Sequence, residues 1–214
     1  MTLELLPFIL GTRSKKLKRK GNLYKEICKI ENITKAFEEV CRNTKNKRKV
    51  GKFKEFKCVY INQIYRTLNN REYKVGPYTV FKIYEPKERR IVSQNMYDKV
   101  INHLVARCIL LPALDSCLLD FNVASREGKG TSLGLKYRNE FERICKIKYG
   151  TYYILKCDIS KFFASIDHDI LKEKLKRKIK DKEALKIVFD IIDSEENGLS
   201  IRKYDKSDTC NFLS

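Results

Sequence analysis

What most limits the folds open to this chain is a change in apolar rhythm along it. Over much of the 214 residues, apolar side chains return at helical spacing: Ile33, Ala36, Phe37, Val40 and Cys41 fall at i, i+3, i+4, i+7 and i+8, on one helical face. Two stretches break that rhythm. Tyr73 to Val92 is dominated by β-branched and aromatic residues (Val75, Tyr78, Val80, Phe81, Ile83, Tyr84, Ile91, Val92). It is cut at Glu85-Pro86-Lys87-Glu88, which predicts a β-hairpin with a basic tip. Thr151 to Asp158 places Tyr153, Leu155 and Cys157 on one side and Ile154 on the other, which predicts a strand delivering Asp158 at its end. Helices around two separate β segments predict an α+β fold.

The remaining elements follow from spacing and stop signals. The first helix is expected behind Asn32 or Thr34 as cap, and a basic run from Lys45 to Lys57 links it to a second helix over roughly Val59 to Leu68, ended by Asn69-Asn70. Asn95 to Cys117 reads as one long apolar helix, bent or interrupted at Pro112. Gly128-Lys129-Gly130 reads as a turn, with Thr131 capping a helix that runs to about Tyr149. Ile166, Ile170, Leu171 and Leu175 resume helical spacing with Asp167 as cap, and a last helix is expected over Lys182 to Ile192. No internal repeat is visible.

Charge narrows the class of partner. Lys and Arg outnumber Asp and Glu by 46 to 27, and a net charge of +19 calls for a polyanion. Nucleic acid is favoured over an acidic membrane surface, because no basic amphipathic segment carries the long aliphatic and aromatic face needed to lie in a bilayer. Arg13 to Lys20 is almost solid positive charge and is expected to stay mobile or lie along phosphate. The apolar residues of Met1 to Gly11 are interrupted by Glu4 and Pro7 with no basic region before them, unlike a signal peptide, and no other stretch approaches a membrane span. Eight scattered cysteines (28, 41, 58, 108, 117, 145, 157, 210) without a C-x-x-C, and only His103 and His168 beside them, argue against structural zinc and for buried thiols in a reducing compartment. The expected location is cytoplasmic.

The chemistry concentrates in Lys156-Cys-Asp-Ile-Ser-Lys-Phe-Phe-Ala-Ser-Ile-Asp-His-Asp-Ile-Leu171. This segment resembles motif A of reverse transcriptases: an aspartate at a strand end, an aromatic pair, then I-x-H-x-x-L. Two Mg²⁺ ions placed to activate a primer hydroxyl and neutralise a triphosphate need carboxylates on a rigid edge. The resemblance makes Asp158 the catalytic and metal-binding carboxylate, with the Ile159 backbone carbonyl as a further metal ligand. It places Phe163 under the sugar of an incoming deoxynucleotide, as a gate against a 2′-hydroxyl. One of Phe162 and Phe163 is expected to pack in the core instead, Asp167 and Asp169 to serve a helix start, and His168 to hydrogen-bond structurally.

Three further segments stand in the same family order. Phe81-Lys-Ile-Tyr-Glu-Pro-Lys-Glu-Arg-Arg-Ile-Val92 is similar to the fingers hairpin P-K-x-R-x-I, which implies that Arg89, with Lys87, grips the triphosphate of the incoming dNTP while Arg90 stays in solvent. Met96-Tyr-Asp-Lys-Val-Ile-Asn-His103 resembles D-R-V-V-x-x-x-L, with Lys99 in place of the usual arginine. Ala124-Ser-Arg-Glu-Gly-Lys-Gly-Thr-Ser132 resembles R-x-G-K-G-T, which implies nucleic-acid contacts from Arg126, Lys129 and Gly130. The fold implied is that of a right-hand polymerase: a basic helical region over residues 1–70, fingers over 71–150 and a partial palm over 151–201.

The family then requires a motif B of the form G-x-x-x-S-Q and a Y-x-D-D hairpin, and neither follows Asn197-Gly-Leu-Ser-Ile201. Back-translated with permitted codons and read one base later, Arg202 to Ser214 becomes Gly-Asn-Met-Thr-Ser-Gln-Thr-Leu-Ala-Ile-Phe-Tyr-Leu. Joined to Ile201 this restores I-G-x-x-x-S-Q, so 202–214 reads as a frameshifted tail behind a truncated palm. That form is most similar to diversity-generating retroelement enzymes and related bacterial groups. The resemblance implies an RNA-directed DNA polymerase working with Mg²⁺, an RNA template, a DNA or RNA primer, dNTPs and a retroelement accessory protein, inactive as this chain alone. Two rivals stand beside it: a non-catalytic RNA- or DNA-binding remnant, and an RNA-dependent RNA polymerase, which bulky Phe163 disfavours.

Overall fold

The structure, a computed structural model, describes residues 19–194 apart from Glu85, Lys87 and Lys161 and the side chains of Arg89, Arg90 and Ala164. The expectations for most of the basic run Arg13 to Lys20, for the frameshifted tail and for Lys87 therefore lie outside the described residues. The described residues divide into two units: a core unit of 19–113 with 163–194, and a second unit of 114–162.

In the core unit, α1 (Tyr24–Ile27) leads into α2 (Ile30–Asn43), whose Ile33, Ala36, Phe37 and Cys41 are buried as their spacing requires. The helix begins before either expected cap. Asn32 instead donates its amide to the Glu26 carbonyl at 2.8 Å, and Thr44 closes the far end by donating its hydroxyl to Val40 O at 2.7 Å. The basic run predicted as a link is itself helical. It forms α3 (Lys47–Glu55), because Asn46 caps it by accepting from Lys49 N at 3.0 Å and because Val50 and Phe53 recur at i, i+3 on its buried side. Next, α4 (Lys57–Asn69) buries Ile61, Ile64 and Leu68. It stops where Arg71 turns left-handed at φ 59°, a conformation costing about 1 kcal/mol for a residue with a Cβ. That turn aims the guanidinium at Glu183, 2.5 Å away.

The hairpin forms as expected, with β1 (Thr79–Ile83) antiparallel to β2 (Arg89–Ser93) and Ile83 paired with Arg89 at the tip end. After it, α5 (Met96–Val105) sets Val100, Ile101, Leu104 and Val105 against α2 and α4. The interruption expected at Pro112 falls one turn earlier. A proline cannot donate and crowds the carbonyl four residues back, and here the helix widens over Ala106–Leu110, with Leu111 N bonding to Ala106 O, before α6 (Leu111–Leu114). The resulting helical run Met96–Cys117 is 22 residues long and contains an 18-residue window of mean hydropathy 1.3, so by length and composition it reaches a membrane span, contrary to the sequence reading. Its Val100, Ile101, Leu104 and Ile109 are buried within the core unit, which accounts for that hydropathy.

Two further helices complete the core unit. Asp167 caps one of them (His168–Lys176, α8 below) by accepting from Asp169 N at 2.9 Å and Ile170 N at 3.0 Å. Asp181 caps the other (Lys182–Asp193, α9 below) and also accepts from Tyr24 N at 2.9 Å, tying the last helix to α1. Lys20 pairs in parallel beside Ile179, so the start of the described chain meets the link between α8 and α9.

The second unit consists of a 3₁₀ turn (Asp115–Cys117), a loop, and α7 (Thr131–Tyr149), with Gly130 rather than Thr131 in the capping position. Helices α8 and α9 follow it in chain order. The strand predicted at Thr151 to Asp158 is not formed: among the described residues the sheet comprises β1 and β2 alone. Alternation of apolar residues makes a strand only where a neighbour accepts its backbone groups. Among the described residues no such neighbour is present, and Tyr153 and Leu155 are 96% and 87% exposed.

Candidate nucleic-acid and nucleotide site

The hairpin stands on a buried carboxylate. Asp98, at 1% exposure, is the one buried charged side chain among the described residues. Its Oδ1 accepts from the Tyr73 hydroxyl at 3.1 Å, and its Oδ2 accepts from Gly76 N at 3.0 Å and Asn95 Nδ2 at 2.8 Å. Both the chain entering β1 and the start of α5 are thereby fixed to one anion. Position 76 must be glycine, since a Cβ there would lie 2.8 Å from Asn95 Nδ2 and from Asp98 Oδ2. Burial, reinforced by the Asp98 charge, pushes the Tyr73 hydroxyl far above its ordinary range, so it stays a donor. A second lock joins Gln94 Nε2 to the Tyr78 hydroxyl at 3.2 Å and that hydroxyl to Ser194 Oγ at 2.7 Å. Sequence reasoning quoted Asp98 within a motif without giving it a role. An acidic residue three positions after a capping Asn95, inside an otherwise apolar helix, was the available signal.

Towards the tip, Lys82 reaches Glu88 at 2.6 Å across the strands, a pairing that the side chains' exposure leaves worth little in stability. Arg89 is the first residue of β2 and sits in register with Ile83. The outer edges of this hairpin, including Phe81 and Tyr84, are exposed.

The glycine turn places Arg126, Lys129 and Gly130 together in the second unit, but it gives them tasks within the loop. Arg126, with its side chain 8% exposed, donates through Nε to Asp115 Oδ1 at 2.7 Å and through one terminal nitrogen to the Leu119 and Asn122 carbonyls at 2.9 and 3.0 Å. The adjacent guanidinium pulls the Asp115 carboxyl below its usual range. Arg126 thus fastens the 115–126 loop rather than presenting its fork outward. Lys129 donates to Asp120 O at 2.8 Å. Gly128 adopts φ 72°, whereas Gly130 is extended at φ −172° with open space where a Cβ would be.

Asp158 and Ile159 are adjacent, exposed, and on irregular backbone, with Asp158 Oδ1 accepting from Ile159 N at 3.0 Å. Magnesium wants near-octahedral oxygen, and these two residues offer one carboxylate and one carbonyl. Among the described residues no group of three or more acidic, His or Cys side chains gathers there or elsewhere. The donor set therefore does not make up a Mg²⁺ site by itself. Phe163 belongs to the core unit and is 84% exposed, so it is not the core residue of the aromatic pair, and neither is exposed Phe162.

One polar cluster escaped the sequence reading. Glu39 on α2 takes a charge-assisted bond from Arg107 and lies 2.5 Å from His103 Nε2, so the start of the widened helical turn is pinned to α2. Arg107 first, then His103, holds the Glu39 carboxyl below its ordinary range. Three residues separated by 64 and 68 positions in sequence give no local pattern.

No family model matches the chain. Over 137 residues, 63% of its length, it is 26% identical to the COX1/OXI3 intron 1 protein of Saccharomyces cerevisiae, and the aligned stretch is 16% of that relative.

Proposed function

We propose that this chain is the fingers-bearing, N-terminal part of a retroelement-type RNA-directed DNA polymerase, and that residues 1–214 bind RNA without completing a polymerase site. The observation that carries the reading is the anchored hairpin Thr79–Ser93 with its basic turn, followed in the family's order by the Asp98 helix, the Gly128–Gly130 turn and Asp158. Similarity to a protein named for an intron supports a link to introns, and the net charge of +19 supports a polyanionic partner.

Within this reading Lys87 and Arg89 serve an incoming dNTP, and the backbone about Gly130 meets a nucleic-acid strand, with Lys129 exchanging its bond to the Asp120 carbonyl for a phosphate. Arg126 supports that loop from inside. Asp158 holds one carboxylate of a metal set whose other members, the Y-x-D-D aspartates, do not occur in the 214 residues.

Two measurements test the proposal. Binding of single-stranded RNA should weaken steeply with salt, its logarithm falling by about 0.7 per neutralised phosphate for each tenfold rise. A flat response would sink the electrostatic account. Primer extension on RNA with Mg²⁺ and dNTPs should be absent for residues 1–214. Extension abolished by Asp158→Ala would show that the missing carboxylates are supplied from within this chain or by a second copy. Restoring the frame ahead of Arg202 should give a longer product that extends primers only while Asp158 is present.

A further inference from the structure

The corner between α3 and α4 carries a cleft that no motif above predicts. It has a volume of about 390 Å³ and is lined by Lys49, Lys52, Phe53, Phe56, Tyr60 and Tyr97, with Asn95 and Met96 at its floor. Lys49 and Lys52 stand about one turn apart on α3, and Phe56 is the residue at which α3 gives way to α4, so two amines and one exposed ring meet over the buried ring of Phe53. The rings continue a stack that begins in the core. Buried Phe37 lies face to face with Phe53 at 4.6 Å, and Phe53 lies 4.4 Å from Tyr60. Phe56 is 56% exposed, with no partner ring among the described residues.

The charge around this cleft is one-sided. Helix α3 reads Lys-Arg-Lys-Val-Gly-Lys-Phe-Lys-Glu, and the Lys49 and Lys52 ammonium groups make no ion pair among the described residues. By contrast Lys57, just beyond, is held by Glu38 at 2.7 Å. Unpaired amines beside an open aromatic face are what a single-stranded nucleic acid requires, since each base offers a π-face and each linkage a negative charge. An acidic peptide would satisfy the lysines and leave the rings unused.

Resting on the RNA-binding reading above, we propose that this cleft stacks one unpaired base of a single-stranded RNA on Phe56 and Tyr60 while Lys49 and Lys52 hold the flanking phosphates. The cleft shares no lining residue with the strands of the hairpin, and it selects single strands over duplex because a paired base is already stacked on both faces.

The test compares the full chain's affinity for a fluorescein-labelled oligouridylate with that for the same strand carrying abasic sites. The intact strand should bind about tenfold more tightly, as one stacked base provides. Phe56→Ala and Phe56→Leu should both erase that ratio and Phe56→Trp keep it, with thermal melts unchanged because Phe56 lies at the surface. Lys49→Gln with Lys52→Gln should make the salt dependence shallower by about 1.4. A steep salt response with equal affinity for both strands, or a ratio untouched by Phe56→Ala, overturns the cleft while leaving the RNA-binding proposal standing. Failure of the unaltered chain to bind either strand overturns both. Capture on phosphatidylserine vesicles that depends on Phe56, with the RNA ratio unaltered in Phe56→Ala, assigns the cleft to a membrane surface instead.

Discussion

Helices α2 and α7 carry similar apolar strips, yet they end in different states. Ile33, Ala36, Phe37 and Cys41 of Ile30–Asn43 are all buried, while Leu133, Tyr137, Phe141 and Ile144 of Thr131–Tyr149 are only partly covered, with Phe121 as the T-shaped neighbour of Phe141 at 5.7 Å. The contrast extends to the units that hold them. Every buried side chain among the described residues lies in the core unit, and none lies between Leu114 and Phe162. Spacing decides that a helix forms with one apolar face, but only a second element packed on that face makes a core. The core unit has α1, α4 and α5 for this purpose. The second unit has a loop.

The largest expected difference is in stability. Ile101→Ala, at a fully buried position, should cost about 2–5 kcal/mol in urea unfolding, whereas Leu155→Ala should stay within about 0.5 kcal/mol. Equal effects would break the comparison, because they would mean that Leu155 is covered in solution. Next comes Asp98→Ala, which strands the buried Tyr73 hydroxyl and Gly76 amide and should cost about 1–3 kcal/mol for each. Hydrogen exchange should quicken through Thr79–Ser93 while Lys182–Asp193 remains protected. If both regions loosen together, Asp98 holds the whole core rather than the hairpin.

These effects show what could be read in advance. The helical strips, the Asp167 cap, the hairpin and its break were legible because each depends on neighbours within a few residues. The Asp98 latch and the Glu39–Arg107 link were not, since their partners lie 22 to 68 positions away. The missing strand at 151–158 failed for the converse reason: its local pattern is right, but a ladder is a property of two strands. For the candidate site, the position of Arg126 was legible and its use was not. A glycine-flanked basic turn cannot reveal that the guanidinium folds inward onto Asp115 and two carbonyls.

That inward arginine gives a smaller, local test. Arg126→Ala should open the 115–126 loop to proteolysis at Glu127 without moving the main unfolding transition, because its partners all belong to the second unit. A shifted main transition would join the two units energetically. The pH response sharpens the comparison from the other side. Glu39 is held below its ordinary value by Arg107 and His103, so its contribution is complete above the unfolded pKa, about 4.3, and is lost as pH falls through the folded value. Glu39→Gln should therefore flatten the acid limb of the core unit's stability profile and leave cleavage of the second unit unchanged. An unchanged acid limb would place the sensitivity elsewhere.

The subtlest expected effect concerns association. Tyr153, Ile154, Leu155 and Ile159 are exposed in a row on backbone that has no ladder partner among the described residues. Apolar side chains and unpaired amides together form a template on which another strand can add. The segment should lead the chain to associate weakly, with sedimentation or scattering showing concentration dependence in the high micromolar range and above. Leu155→Lys should suppress it, since a charge on an adding edge opposes pairing, while Lys52→Gln at the opposite extreme of charge should not. The argument turns on backbone as well as side chain: if Tyr153→Ser and Leu155→Lys both leave association intact, the contact is made elsewhere and the alternation at 151–158 is not acting as an unpaired strand. If both abolish it, the segment has the strand character its sequence carries, and what it lacks among the described residues is a neighbour.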